Sequence, residues 1–124
     1  MQRGKEIAQG SHASMAFIQA RLRAADGLAG GQSYDGSYWL EGVFTPVQLE
    51  WLTNGRFTKV TLQVDSEEEL LKVYAAALGA GLEVHMIEDS GQTVFHGEPT
   101  RTCLAIGPDL SELIDPITKH LRLY

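Results

Sequence analysis

The first apolar positions of the chain recur at helical spacing. Ile7, Ser11, Met15, Ile18 and Leu22 fall four and three residues apart and share one face, which predicts a helix over 5–24. Ala8, Gly10, Ser11, Ala13, Ser14 and Ala16 keep this helix slim, so it can approach a neighbour closely. Lys5, Gln9 and His12 occupy positions i, i+4 and i+7 and line a second face.

The periodicity then breaks. Residues 26–37 carry Asp26-Gly27, Gly30-Gly31 and Asp35-Gly36, which predicts a long surface loop. A short helix follows over Val47 to Leu52, with Thr45 as N-cap and Pro46 as its first residue, ended by Asn54-Gly55. From Thr58 to Val64 the pattern alternates, with Val60, Leu62 and Val64 on one side and Thr61 and Gln63 on the other, so this is a strand. Ser66 and Glu69 form a capping box that opens a helix running to about Leu78 and stopped by Gly79. Leu82 to Ile87 is the next strand, Asp89-Ser90-Gly91 a turn, and Thr102 to Ile106 a short strand closed by Gly107-Pro108. Asp109 and Glu112 make a second capping box for the last helix, which Pro116 should kink.

Helices alternating with strands predict an α/β fold with helices on both faces of a sheet. The 124 residues suit one domain, with no internal repeat or low-complexity tract to divide 1–124. The single cysteine, Cys103, rules out an intrachain disulfide, and no Cys/His spacing suggests zinc. No apolar run is long enough to span a bilayer, and the polar opening is unlike a signal peptide, so a reducing cytoplasm is expected. The net charge of −6 argues against a general nucleic-acid binder but leaves room for a local basic patch.

Several ordered segments resemble the archaeal/eukaryotic-type peptidyl-tRNA hydrolase family. MQRGKEIAQGSHA (Met1 to Ala13) is similar to the family's Met-x-x-Gly-Lys helix start followed by Ala-Gln-x-x-His-Ala. KVTLQVDSEEELL (Lys59 to Leu71) with Ala80-Gly81-Leu82 is the second segment, and IEDSGQT (Ile87 to Thr93) matches the family's Asp-x-Gly-x-Thr. TCLAIGP (Thr102 to Pro108), followed by Ser111 to Asp115 and His120-Leu121, is the fourth. Each is weak alone, but the ordered set is specific.

The resemblance implies a three-layer α/β/α sandwich on a small mixed four-stranded sheet. It implies a metal-free, cofactor-free hydrolase that cuts the ester of peptidyl-tRNA. Lys5 and Asp89 then match the family's active-site lysine and aspartate, and Thr93 and Thr102 its hydroxyl partners. Gln9 and His12 match the helix motif that packs beneath or beside the site. The residue types suit the chemistry. A carboxylate can accept a proton from water or hold it in place. A lysine can neutralise a developing oxyanion or meet a terminal phosphate.

Departures from the family are also visible. The strand that precedes the Met-x-x-Gly-Lys motif in the family has no counterpart ahead of Met1, where the motif begins; a shortened chain or mis-assigned start, a strand supplied by another chain, or an adapted fold that has lost activity would each account for this. The 26–44 loop is long, the Thr93 to Thr102 stretch is one residue longer than the family pattern, and Pro116 is out of place. These features, with the acidic balance, support an alternative: a non-catalytic module on the same fold acting through protein contacts. An exposed sheet edge invites self-association as a homodimer under either reading. Without the resemblance, Lys5 reads as a solvated helix-start lysine, Asp89 and Asp65 as turn residues, and Thr93 and Thr102 as ordinary strand residues. His12, His85 and His96 read as structural or exposed, Trp39 and Trp51 as packing anchors rather than base-stacking platforms, and Cys103 as inert packing.

Overall fold

A computed structural model describes residues 3–24, 27–89 and 100–124. Its elements, in chain order, are α1 (Arg3–Leu22), β1 (Arg23–Ala24), β2 (Gly27–Leu28), β3 (Gly30–Gln32), β4 (Tyr38–Leu40), α2 (Pro46–Thr53), β5 (Leu62–Gln63), α3 (Glu67–Gly79), β6 (Val84–Asp89), β7 (Thr100–Ile106), α4 (Ser111–Thr118) and β8 (Arg122–Leu123). The α/β class holds.

The centre of the fold is the antiparallel β6–β7 ladder, which runs from Val84↔Ile106 to Asp89↔Thr100. Both α1 and α3 pack on it while hardly touching each other, so the ladder forms a middle layer between two helices. α4 packs in turn on α3. The described strands form four two-stranded antiparallel ladders: β1–β2, β3–β4, β5–β8 and β6–β7. The single mixed sheet implied by the resemblance is therefore not assembled among the described residues. β5 pairs with the C-terminal β8, through Leu62↔Leu123 and Gln63↔Arg122.

α1 docks through Gln9, Ala13 and Phe17, which are buried at i, i+4 and i+8. The expected stripe is not the packed face: Ile7 is 66% and Met15 53% exposed, while Ile18 and Leu22 are half-buried. Two contacts with distant segments select the other face. The Cys103 thiol donates to the Gln9 carbonyl at 3.4 Å, holding helix against strand. Phe17 enters an aromatic cluster edge-on, 6.2 Å from Phe44 and 5.8 Å from Trp51. Burying that ring is worth on the order of 2 kcal/mol, enough to outweigh a weak stripe interrupted by Ser11. Trp51 is thus a packing anchor, as its pattern suggested, with its indole N–H donating to the Thr58 carbonyl at 2.9 Å.

The stretch expected to be a loop is folded into hairpins. Arg23↔Leu28 and Ala24↔Gly27 pair in the first, and Gly30↔Leu40, Gly31↔Trp39 and Gln32↔Tyr38 in the second. The second turn is made by Asp35-Gly36. The Asp35 carboxylate accepts from the Ser37 N–H at 3.0 Å and the Ser37 hydroxyl at 2.6 Å, and Gly36 takes φ 92°. Of the pairs that read as a loop, Asp35-Gly36 makes this turn and Gly30-Gly31 lies inside β3.

Helix ends follow the sequence in part. Thr45 caps α2 as expected, and Gln48 completes a full capping box there that the sequence reading missed. Ser66 caps α3, accepting from the Glu69 N–H at 3.1 Å, but the Glu69 carboxylate reaches the Asp65 N–H instead of Ser66. The box expected at Asp109 and Glu112 does not form. Leu110 is the N-cap without a side-chain bond, and Asp109 accepts from the Leu110 N–H at 2.8 Å, a local bond that competes with capping. α3 ends at Gly79 but is turned off by Gly81 at φ 75°, with the Leu82 N–H returning to the Ala77 carbonyl at 3.0 Å. The strand expected over 58–64 is paired only at Leu62–Gln63.

Candidate active site

The row Lys5, Gln9, His12, Ala16, Gln19 lies along one side of α1, because steps of four and three return to the same face of a helix. Opposite it stand Met86, Ile87 and Glu88 of β6, and the two walls flank an open, shallow cleft of about 410 Å³. The expected helix-face residues are therefore brought together: Lys5 half-buried, Gln9 only 5% exposed, His12 exposed. The Cys103 thiol on β7 donates to the Gln9 carbonyl at 3.4 Å beside this row.

Asp89 is the last residue of β6, directly after Glu88 in the cleft wall, and its backbone pairs in register with Thr100. Its side chain lies outside the described residues, as do the Asp89-Ser90-Gly91 turn beyond it, Thr93, His96 and the stretch 90–99.

Thr102 sits in β7 at an irregularity of the ladder. Ile87 pairs with Cys103 and Glu88 with Arg101, so Thr102 is an extra residue with no partner of its own on β6. Such a bulge re-aims side chains and is common beside active sites. The Thr102 hydroxyl is buried and makes no hydrogen bond of good geometry to a described residue. On either side of it, Cys103 reaches Gln9 of α1, and the Arg101 guanidinium reaches Glu67 of α3 at 3.1 Å and Glu88 at 3.6 Å. Thr102 is not among the residues lining the cleft. Burial pushes the Cys103 thiol pKa up, so it stays protonated and unreactive.

A half-buried polar network, which the sequence reading missed, fixes the far end of α1. Arg21 grips Glu83 with both terminal guanidinium nitrogens, at 2.7 and 2.6 Å. Gln48 donates to Glu83 Oε1 at 2.7 Å, and His85 Nε2 lies 2.6 Å from Glu83 Oε2. The Arg21 guanidinium, with help from His85 and Gln48 and against the cost of burial, lowers the Glu83 pKa to about 2. Arg21 is thus committed to Glu83 rather than to a basic surface. His85 is structural, as expected.

The model of the family Peptidyl-tRNA hydrolase PTH2 matches residues 1–124. The chain belongs to that family.

Relatives of this PTH2 chain agree. It is 38% identical over 128 residues to the peptidyl-tRNA hydrolase of Methanocaldococcus jannaschii, an alignment covering 99% of this chain and 89% of that protein. The peptidyl-tRNA hydrolase of Sulfurisphaera tokodaii is 34% identical over 124 residues, 99% of this chain and 88% of that one. The mitochondrial peptidyl-tRNA hydrolase 2 of Mus musculus is 35% identical over 126 residues, which takes in all of this chain but 57% of the mouse protein. The family resemblance drawn from the four ordered segments is borne out. Met86, Ile87, Glu88 and Gln19 were not picked out from sequence; only the alternation of β6 and the heptad-like spacing along α1 could have suggested them.

Proposed function

We infer that this PTH2 chain hydrolyses the ester bond of peptidyl-tRNA, releasing peptide and free tRNA. The match of the family across residues 1–124 carries the activity. The site assignment is supported by the cleft in which Lys5, Gln9 and His12 face β6, the strand that leads into Asp89.

In this reading a water molecule attacks the ester carbonyl carbon. Asp89 holds that water and takes its proton, which passes to the departing ribose oxygen as the carbon–oxygen bond breaks. Lys5 offsets the charge that develops on the carbonyl oxygen or meets the terminal nucleotide's phosphate. Thr93 and Thr102 orient Asp89 or the ester with their hydroxyls, and Gln9 and His12 hold the substrate against α1. Every step uses the chain's own side chains. A cytoplasmic place of action goes with a substrate made on ribosomes, although among the described residues the structure says only that no helix is long and apolar enough to cross a membrane. Self-association as a homodimer belongs to the same reading, and sedimentation of the purified chain tests it.

The deciding experiment is release of N-acyl amino acid from N-acyl-aminoacyl-tRNA, with Asp89→Asn and Lys5→Ala beside the parent. Hydrolysis by the parent that is lost in both variants supports the assignment. Full turnover by Asp89→Asn removes Asp89 from the mechanism.

A further inference from the structure

The cleft is longer than ester hydrolysis requires. Lys5 marks one end and Gln19 the other, and at a rise of about 1.5 Å per residue they are about 21 Å apart along α1. An extended chain advances about 3.3 Å per residue, so a groove of this length accommodates several residues of peptide.

Its lining is chemically uneven in a way that discriminates between the two halves of the substrate. A track for the tRNA backbone needs cations for its phosphates, and one for unstacked bases needs aromatic faces. Beyond Lys5, the described lining has neither a lysine nor an arginine, its one aromatic ring is the small imidazole of His12, and Glu88 adds a carboxylate that repels phosphate. Arg21, the next cation along α1, is held by Glu83. What the groove does offer is the exposed imidazole of His12 and the exposed amide of Gln19, with apolar surface on Ala16, Met86 and Ile87 between them. Polar groups that pair with peptide N–H and C=O, spaced by apolar patches, suit a peptide.

We propose that the α1–β6 groove from His12 to Gln19 binds the peptidyl part of the substrate, with Gln19 a specificity-determining residue at its distal end. Lys5 then faces the ester and the tRNA side. The proposal rests on the peptidyl-tRNA hydrolase reading and deepens it. A one-residue acyl group occupies the Lys5 end alone, whereas a peptide of several residues reaches Gln19. Longer peptides therefore gain binding energy that short ones lack, and this appears as a preference in kcat/KM.

The test compares N-acetyl-aminoacyl-tRNA with N-acetyl-tetrapeptidyl-tRNA of the same tRNA, using the parent, Gln19→Ala and Ala16→Phe. Gln19 is exposed, so its truncation leaves the packing of α1 intact. Ala16→Phe instead fills the groove midway. The expected result is a preference of about tenfold or more for the longer substrate in the parent, the scale of one to two lost contacts, collapsing toward one in both variants. Hydrolysis of the short substrate reports the underlying activity, and the long-to-short ratio reports the inference. A parent that cleaves both equally well, or a ratio unchanged by both substitutions, overturns the peptide assignment while leaving the hydrolase standing. A parent that cleaves neither overturns both.

Discussion

Arg21 of α1 and Glu83, at the threshold of β6, meet through two parallel hydrogen bonds of 2.7 and 2.6 Å across 62 residues of chain. The same guanidinium donates to the carbonyls of Val43 at 2.8 Å and Phe17 at 2.9 Å, so one side chain ties helix, hairpin loop and strand together. Bidentate pairs of this kind are short and directional, and the energy at stake is mainly the cost of leaving one partner alone. Glu83→Gln keeps shape but removes the charge opposite Arg21. It should destabilise the chain by about 2 kcal/mol in urea unfolding at neutral pH, less than a fully buried pair because about a quarter of each side chain is exposed.

The same pair sets an acid limit. Glu83 titrates near 2 in the folded chain, against an ordinary value of 4.5. The unfolded chain therefore takes up this proton first as pH falls. The stabilisation is complete above about pH 4.5 and is lost progressively as pH drops toward 2. Urea midpoints measured at pH 6, 4 and 3 should decline steeply in the parent and more gently in Glu83→Gln. Parallel declines would show that other carboxylates govern acid unfolding.

Asp89→Asn removes a proton acceptor while keeping size and hydrogen-bonding capacity at the end of β6. If Asp89 acts on the attacking water, kcat should drop about 10²- to 10⁴-fold. The thermal midpoint should stay within a degree or two, because an end-of-strand substitution leaves the β6–β7 ladder in place. A matching fall in stability would assign Asp89 to the turn and not to catalysis.

Lys5→Ala and Lys5→Arg separate charge from geometry. An ammonium that meets a developing oxyanion as a compact point charge is poorly replaced by a planar guanidinium. Lys5→Ala is expected to lose about 10²- to 10³-fold in kcat, the usual scale for one oxyanion contact, and Lys5→Arg should recover only part of it. Full recovery by arginine, seen mainly in KM, would place Lys5 on a phosphate instead.

Much of this architecture is legible along the chain because it is encoded locally. Thr45-Pro46 opens α2, Ser66 caps α3, and the alternation before Glu88 makes β6, each from neighbouring residues alone. The row of Lys5, Gln9 and His12 is likewise a consequence of helical pitch. What local pattern does not encode is the partner. Which face of α1 packs is decided by Phe17 meeting Phe44 and Trp51, and by Cys103 meeting Gln9 across 94 residues of chain. Arg21, Gln48 and Glu83 come from three separate segments of the chain and look like ordinary surface residues in sequence. The bulge at Thr102 is a property of pairing register, so no property of the β7 sequence by itself announces it.

Thr102 allows the sharpest separation of structure from chemistry. Among the described residues the buried Thr102 hydroxyl makes no hydrogen bond of good geometry, and leaving a buried hydroxyl unsatisfied costs about 1–3 kcal/mol. Thr102→Val keeps the branched shape and deletes the oxygen. If the hydroxyl serves the reaction, stability should hold steady or rise by about 1 kcal/mol while activity falls about tenfold or more. Thr102→Ser, which keeps the oxygen and removes a methyl group, should invert this pattern, with activity largely kept and stability lowered by about 1 kcal/mol. Comparing thermal midpoints and kcat for the two variants decides the matter. Joint loss of stability and activity in Thr102→Val would instead mean that the hydroxyl has a structural partner and that its role is to hold β7 in shape.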